Sequence, residues 1–203
     1  MSTENDFTRG DILWPLLKFV VPVFGALFLQ AMYGAVDLLV VGQFSDAAEV
    51  AAVSTGAQVM HSLTTLINAF AMGATIVLGQ SIGAGERERV STILGTSVAL
   101  FCAAGALMTV SIPLLSHDIA AMMQTPPEAQ ESAALYLAIC GLGSLPLILY
   151  NLFGSVFRGI GDSKTPLVTV AVACFFNIFG DLLLVARFGM GAKGAAIATV
   201  AAQ

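Results

Sequence analysis

Long apolar stretches separated by short polar breaks fill almost the whole chain. Six such segments lie at about 14–43, 50–80, 91–115, 132–157, 166–186 and 191–203. A helix of ~20 apolar residues crosses the hydrocarbon core of a bilayer, so the pattern predicts an all-α, polytopic membrane helix bundle. We expect a short N-terminal segment, 1–13, followed by a transmembrane lobe, 14–203.

Two details modify this layout. Pro22 in the first segment and Pro146 in the fourth are the expected kink positions, because proline removes a helical hydrogen bond. The sixth segment is too short to cross the membrane at ~1.5 Å per residue. We therefore expect the chain to be the N-terminal part of a longer protein, with the sixth helix cut short.

Composition narrows the class of protein. Mean hydropathy is +0.88 and only 10% of residues are charged, against roughly 25% in a soluble domain. The net charge of −5, without a basic cluster, excludes nucleic acid as a partner and leaves the lipid bilayer as the expected surroundings. The N-terminus is polar and acidic, unlike a secretory signal.

The basic residues predict the orientation. If the N-terminus is cytoplasmic, six basic residues lie on the inner side and two on the outer side, which satisfies the positive-inside rule. The inner set is Arg9, Lys18, Arg87, Arg89, Arg158 and Lys164, and the outer set is Arg187 and Lys193.

Two carboxylates lie inside the apolar segments, Asp37 in the first and Asp181 in the fifth. An acid in the hydrocarbon core costs roughly 2.5–3.5 kcal/mol on insertion scales, so each is a functional hypothesis. Asn177 stands four residues before Asp181, on the same helical face, and Thr199 reaches a similar depth. Their hard oxygen ligands suit Na⁺, and two close carboxyls can also hold a proton. A structural hydrogen-bonded pair is the alternative for Asp181 and Asn177.

A polar stripe precedes Asp37 on the first helix. Gln30, Tyr33, Gly34 and Asp37 are spaced at i, i+3, i+4 and i+7, which places them on one face. This face either lines the interior of the bundle or simply holds neighbouring helices by hydrogen bonds and close packing.

An internal repeat links the two acids. Residues 36–55 and 180–199 are identical at nine of twenty positions without gaps, and Asp37 aligns with Asp181. Secondary transporters commonly place ion sites where related elements meet. The repeat therefore favours a transport function, although coincidence is the alternative in so apolar a sequence.

Motifs of other function classes are missing from the sequence. It has neither a phosphate-binding loop for ATP nor a dinucleotide fingerprint within a βαβ unit. The histidines and cysteines have no metal-site spacing. We thus expect no enzyme and no cofactor beyond a coupling ion.

Several motifs together resemble the multidrug and toxic compound extrusion (MATE) transporters, specifically the DinF-like prokaryotic branch. They are Pro22, the spacing Gln30-x-x-Tyr33-x-x-x-Asp37, the segments 79–85 (GQSIGAG) and 157–166 (FRGIGDSKTP), and Asn177-x-x-x-Asp181 with Thr199.

The resemblance implies a twelve-helix protein of two lobes in the bacterial cytoplasmic (inner) membrane. It would export small cationic or amphipathic compounds in exchange for H⁺ or Na⁺ by alternating access. Asp37, Asn177, Asp181 and Thr199 stand at the cation site, Gln30 and Tyr33 line the cavity, and Pro22 is a bending point. The C-terminal lobe is missing from this chain. A lipid-linked precursor flippase of the same superfamily and an inactive truncated remnant are the alternatives.

Overall fold

The computed structural model describes residues 13–203 and is a bundle of helices. The predicted N-terminal segment 1–13 lies, except for its last residue, outside the described residues. The helices are α1 (Leu13–Phe44), α2 (Ala47–Gly83), α3 (Arg87–Met122), α4 (Pro127–Leu142), α5 (Ser144–Gly159), α6 (Lys164–Asp181) and α7 (Gly191–Ala201). A π-helix, Leu182–Arg187, continues α6.

Length and apolar character make these helices membrane spans. Helices α1, α2, α3 and the continuous unit 164–187 are each long and apolar enough to cross a bilayer, and α4 with α5, taken together, is one further span, bent in its middle and fourth in chain order. The predicted all-α membrane bundle is confirmed. Helix α3 extends beyond the apolar segment 91–115 at both ends, because helical hydrogen bonding continues into the polar flanks of a span.

The fourth span bends by 56° between α4 and α5. The break falls at Gly143, whereas the sequence pointed to Pro146. Proline has no N–H to donate, so it is accommodated in the first turn of a new helix, where that donor has no intrahelical partner. Pro146 is the third residue of α5, and α4 ends before it. Helix α1, in contrast, continues across Pro22.

Two turns on the same end of the bundle are built alike. At the end of α2, Gly85 has φ +75°, and at the end of α5, Gly161 has φ +85°. In both turns the N–H of the following residue, Glu86 or Asp162, donates to the carbonyl five residues earlier, which is the Schellman arrangement. The segments 79–85 and 157–166 noted in the sequence thus each contain a helix-ending turn.

Asp162 then starts the next helix. Its carboxylate accepts hydrogen bonds from the backbone N–H groups of Lys164 and Thr165 at 3.0 Å and from the Thr165 hydroxyl at 2.6 Å. The Thr165 hydroxyl is the main cause that lowers the pKa of Asp162 below its usual value of 3.8.

The internal repeat is also visible in the backbone. Helix α2 begins at Ala47 and α7 begins at Gly191, the same offset that aligns Asp37 with Asp181. The helix ends differ in one respect: Asp46 caps α2 by accepting from the Glu49 N–H at 2.9 Å, whereas Met190 provides no side-chain cap for α7.

Candidate functional site

The two intramembrane acids lie in neighbouring helices that pack on each other. Asp37 comes from α1, Asp181 ends α6, and both helices contact α7. Asp37 is 5% exposed, Asn177 is 1% exposed and Asp181 is fully buried. The Asn177 Nδ2 donates to Thr199 Oγ1 at 3.4 Å, which joins α6 to α7.

The buried carboxyl groups have unsatisfied oxygens. Among residues 13–203, no hydrogen-bond donor meets Asp37 Oδ1, Asn177 Oδ1 or either carboxylate oxygen of Asp181. Buried polar atoms without a partner are rare, since each one loses its hydration without compensation. Four acceptor oxygens in one region are an arrangement that a cation or a proton would stabilise.

The charges of the two acids also favour a bound cation or proton. Asp37 and Asp181 are close enough to interact electrostatically, and in the part of the chain that the structure describes no basic side chain forms an ion pair with either one. Two carboxylates in a low dielectric repel each other when both are charged. A bound cation or a proton between them removes that repulsion.

A cavity of about 450 Å³ opens beside this layer. Its lining within the described residues contains one carboxylate, Asp37, and neither lysine nor arginine. The polar part of the lining consists of Gln30, Tyr33, Asp37, His61, Thr64, Thr65, Asn68, Tyr136, Tyr150, Asn151, Asn177, Thr199 and Gln203.

The structure distributes the predicted residues over three places. Gln30, Tyr33, Asp37, Asn177 and Thr199 line the cavity. Asp181 does not line it and is enclosed by its neighbours. Pro22 lies outside this lining, in the N-terminal third of α1.

Helix α4 contributes cavity residues that the sequence analysis did not identify. The Tyr136 side chain is buried and lines the cavity together with Thr199 and Cys140. Its ring packs directly on Gly56 of α2, where any Cβ would collide with it. The spacing of Tyr136 and Cys140, i and i+4, was the available signal.

Helix α2 contributes a second polar stripe. His61, Thr65 and Asn68, at i, i+4 and i+7, all line the cavity. Single polar residues are diluted within a long apolar segment, so only their common helical face could have revealed them.

The π-helix begins directly after Asp181. π-helical turns are rare and occur mainly at functional sites. In the first copy of the repeat the matching residues continue as ordinary α-helix. The backbone that follows the two aligned acids is therefore wound differently, and the acids also differ in their exposure to the cavity.

Comparisons with known proteins agree with this architecture. Residues 22–183 match the MatE family. The chain is 32% identical over 94% of its length to a probable multidrug resistance protein NorM of Thermotoga maritima, of which it covers 42%. It is 31% identical over 90% of its length to a probable multidrug resistance protein YoeA of Bacillus subtilis, of which it covers 40%.

Among solved structures, a multidrug resistance MATE family transporter in an outward-facing conformation superposes with a TM-score of 0.90 at 22% identity. That alignment covers 99% of this chain and 44% of the other. The chain thus spans less than half the length of the relatives it matches. On the family match, it belongs to the MatE family of membrane transporters and is not an enzyme.

Proposed function

We propose that this chain forms the cation-binding lobe of a multidrug antiporter of the DinF-like branch. The observation that carries the proposal concerns residues 13–203: the cavity is lined by one carboxylate, Asp37, beside a second buried carboxylate, Asp181, and four acceptor oxygens of this region lack donors. The coupling ion is H⁺ or Na⁺, and the exported compounds are small cationic or amphipathic molecules.

The chemistry of exchange follows from the charge of this region. Asp37 faces both the cavity and the buried layer, so a cationic compound and the coupling ion compete for the same negative charge. When a cation or proton binds among Asp37, Asn177, Asp181 and Thr199, the cavity loses its attraction for a cationic substrate. Release of the ion restores that attraction, and the two species alternate.

The rest of the layout belongs to the same proposal. Residues 14–203 form the N-terminal of two lobes in a bacterial inner membrane, with the N-terminus in the cytoplasm, and a C-terminal lobe completes the drug cavity. Gln30 and Tyr33 contact substrate, and Pro22 is a bending point of α1.

A flippase for lipid-linked precursors is the competing transport function. Such a substrate carries a pyrophosphate, which arginine and lysine bind through charge-assisted hydrogen bonds. Within residues 13–203 the cavity lining has neither residue, so the cavity favours a cationic compound.

The test is efflux of a fluorescent cationic dye from cells that express the complete gene product. Asp37→Asn and Asp181→Asn keep the shape of each side chain and remove its charge, and we expect both to abolish ion-dependent efflux. Asp118→Asn, at an exposed position of α3, is the matched control and should transport like the parent. Pro22→Ala in the same series tests the bending role.

Unchanged efflux in both site variants would refute the cation site. A parent protein that inserts into the membrane but transports no dye, under either an H⁺ or a Na⁺ gradient, would instead favour the inactive remnant.

A further inference from the structure

Glu49 links three helices at the end of the bundle where α1 meets α2. Its Oε1 accepts a hydrogen bond from Ser132 Oγ of α4 at 2.7 Å. Its Oε2 accepts a short hydrogen bond from the backbone N–H of Ala192, in the first turn of α7. One side chain of α2 therefore fixes both α4 and α7.

Glu49 also stands three residues after Asp46, the N-cap of its own helix. Asp46 and Glu49 have the spacing of a capping box, in which the glutamate turns back to the N-terminal backbone of its own helix. Here only half of that box is present: Asp46 accepts from the Glu49 N–H, while both Glu49 carboxylate oxygens accept from other helices.

Helix α7 needs this external acceptor. Its N-cap, Met190, has neither a capping side chain nor the extended backbone found at Asp46, since its ψ is 0° and that of Asp46 is 174°. The first turn of a helix has N–H groups without intrahelical partners and a partial positive charge. The carboxylate of Glu49 satisfies one of these donors and complements that charge.

The local backbone is shaped around the contact. Gly191, the first residue of α7, has φ +53°, which favours glycine, and a Cβ there would collide with the Glu49 carboxylate. Glu49 can thus approach α7 this closely only because the first residue of α7 is a glycine.

Helix α7 carries the contact to the candidate cation site. Ala192 and Thr199 are seven residues apart and lie on the same face of α7, about 10 Å apart along its axis. The buried residues between them are small, among them Ala195, Ala196 and Ala198. Small residues let α7 approach its neighbours closely, and the hydrogen bond at Ala192 is a directional contact that fixes the N-terminal end of α7.

We infer that Glu49 is a positioning residue: by fixing α7 against α2 and α4, it sets the placement of Thr199 beside Asn177 and Asp37. This inference rests on the proposed cation site, and it gives Glu49 no direct contact with the ion.

The experiment measures equilibrium binding of radioactive sodium, and proton uptake by titration, on the complete purified protein in lipid nanodiscs. Glu49→Ala removes both acceptors, and we expect the apparent cation affinity to fall about tenfold, the factor for ~1.4 kcal/mol, with the number of sites unchanged. Glu49→Gln still accepts from Ala192 and can donate to Ser132, so its affinity should stay close to the parent value. Glu131→Ala, an exposed acid one residue from Ser132, is the matched control.

Hydrogen exchange of the α7 amides provides a second readout. Faster exchange at Ala192 in Glu49→Ala together with the affinity loss supports the inference. Parental affinity in Glu49→Ala overturns it, even if the melting temperature falls, because the contact would then be structural only.

If the parent itself binds neither sodium nor protons at the site, the proposed function fails separately. Glu49 is then judged by the exchange of α7 alone: unchanged exchange in Glu49→Ala would show that it does not hold this helix.

Discussion

The bend of the fourth span allows a quantitative test of how α7 is packed. At Gly143, a Cβ would lie 2.7 Å from both γ-carbons of Val200. The shortest ordinary van der Waals contact is 3.4 Å, so the Val200 side chain, and α7 with it if the side chain cannot turn aside, must move away by about 0.7 Å in Gly143→Ala. The backbone at Gly143, with φ −84° and ψ 4°, accepts alanine, so the substitution tests space alone.

The expected cost follows from the packing. Overfilling a packed interior typically costs about 1–3 kcal/mol. Val200→Ala deletes both γ-carbons that collide. By itself this substitution loses the burial energy of two methyl groups, at most ~0.8 kcal/mol each because the side chain is only partly buried. The double variant should therefore be less destabilised than the sum of the two single variants, with a coupling of roughly 0.5–3 kcal/mol.

The assay is thermal unfolding of the parent, both single variants and the double variant in the same detergent. Gly95→Ala, where a Cβ meets nothing within 4 Å, controls for the change of residue type. If the loss of stability in the double variant equals the sum of the losses in the two single variants, the contact between Gly143 and Val200 is refuted. Because Val200 follows Thr199, Gly143→Ala should also weaken cation binding, and Val200→Ala should restore it.

Two further predictions concern other parts of the bundle. Gly56→Ala should lower the melting temperature and the cation affinity, because the new Cβ displaces the Tyr136 ring. Gly73→Ala in the same helix has open space around it and should leave the melting temperature unchanged or raise it. An equal fall in melting temperature in both variants would contradict the packing of Tyr136 on Gly56. Asp162→Ala should destabilise the protein above about pH 4, because the native pKa of this carboxyl lies below 3.8. Stability from a lowered pKa is lost as the pH falls through the native value, so the difference in melting temperature should shrink on acidification, and a constant difference would argue against it.

The hydropathy pattern predicted most of the fold because each span is a nearly continuous apolar run. It misplaced the bend of the fourth span, since proline marks where a helix cannot continue but does not show which residue upstream ends it. The π-helix after Asp181 left no trace in residues 182–187, which read as a normal apolar helix.

The candidate site was partly visible in the sequence. Asp37 and Asp181 stood out because charges are costly in hydrocarbon, and the repeat placed them at one depth. That they bind a cation stays a prediction. The cavity wall from α2 and α4 was not predicted, because His61 and Tyr136 are far apart in the sequence and come together only through tertiary packing. The partners of Glu49, Ser132 and Ala192, lie far away in the sequence and were not predicted for the same reason.

The π-helix of Leu182–Arg187 places one more residue in the span formed by 164–187 than an α-helix of the same length would hold. The extra residue lies directly after Asp181, and the wide turn that contains it is a local defect in the α-helical hydrogen-bond pattern. If the wide turn migrates along the span by rearranging hydrogen bonds, each residue it passes rotates by about 100°, the angle per residue of an α-helix. An acid at its edge could then turn between the protein interior and the cavity while both ends of the span stay in place.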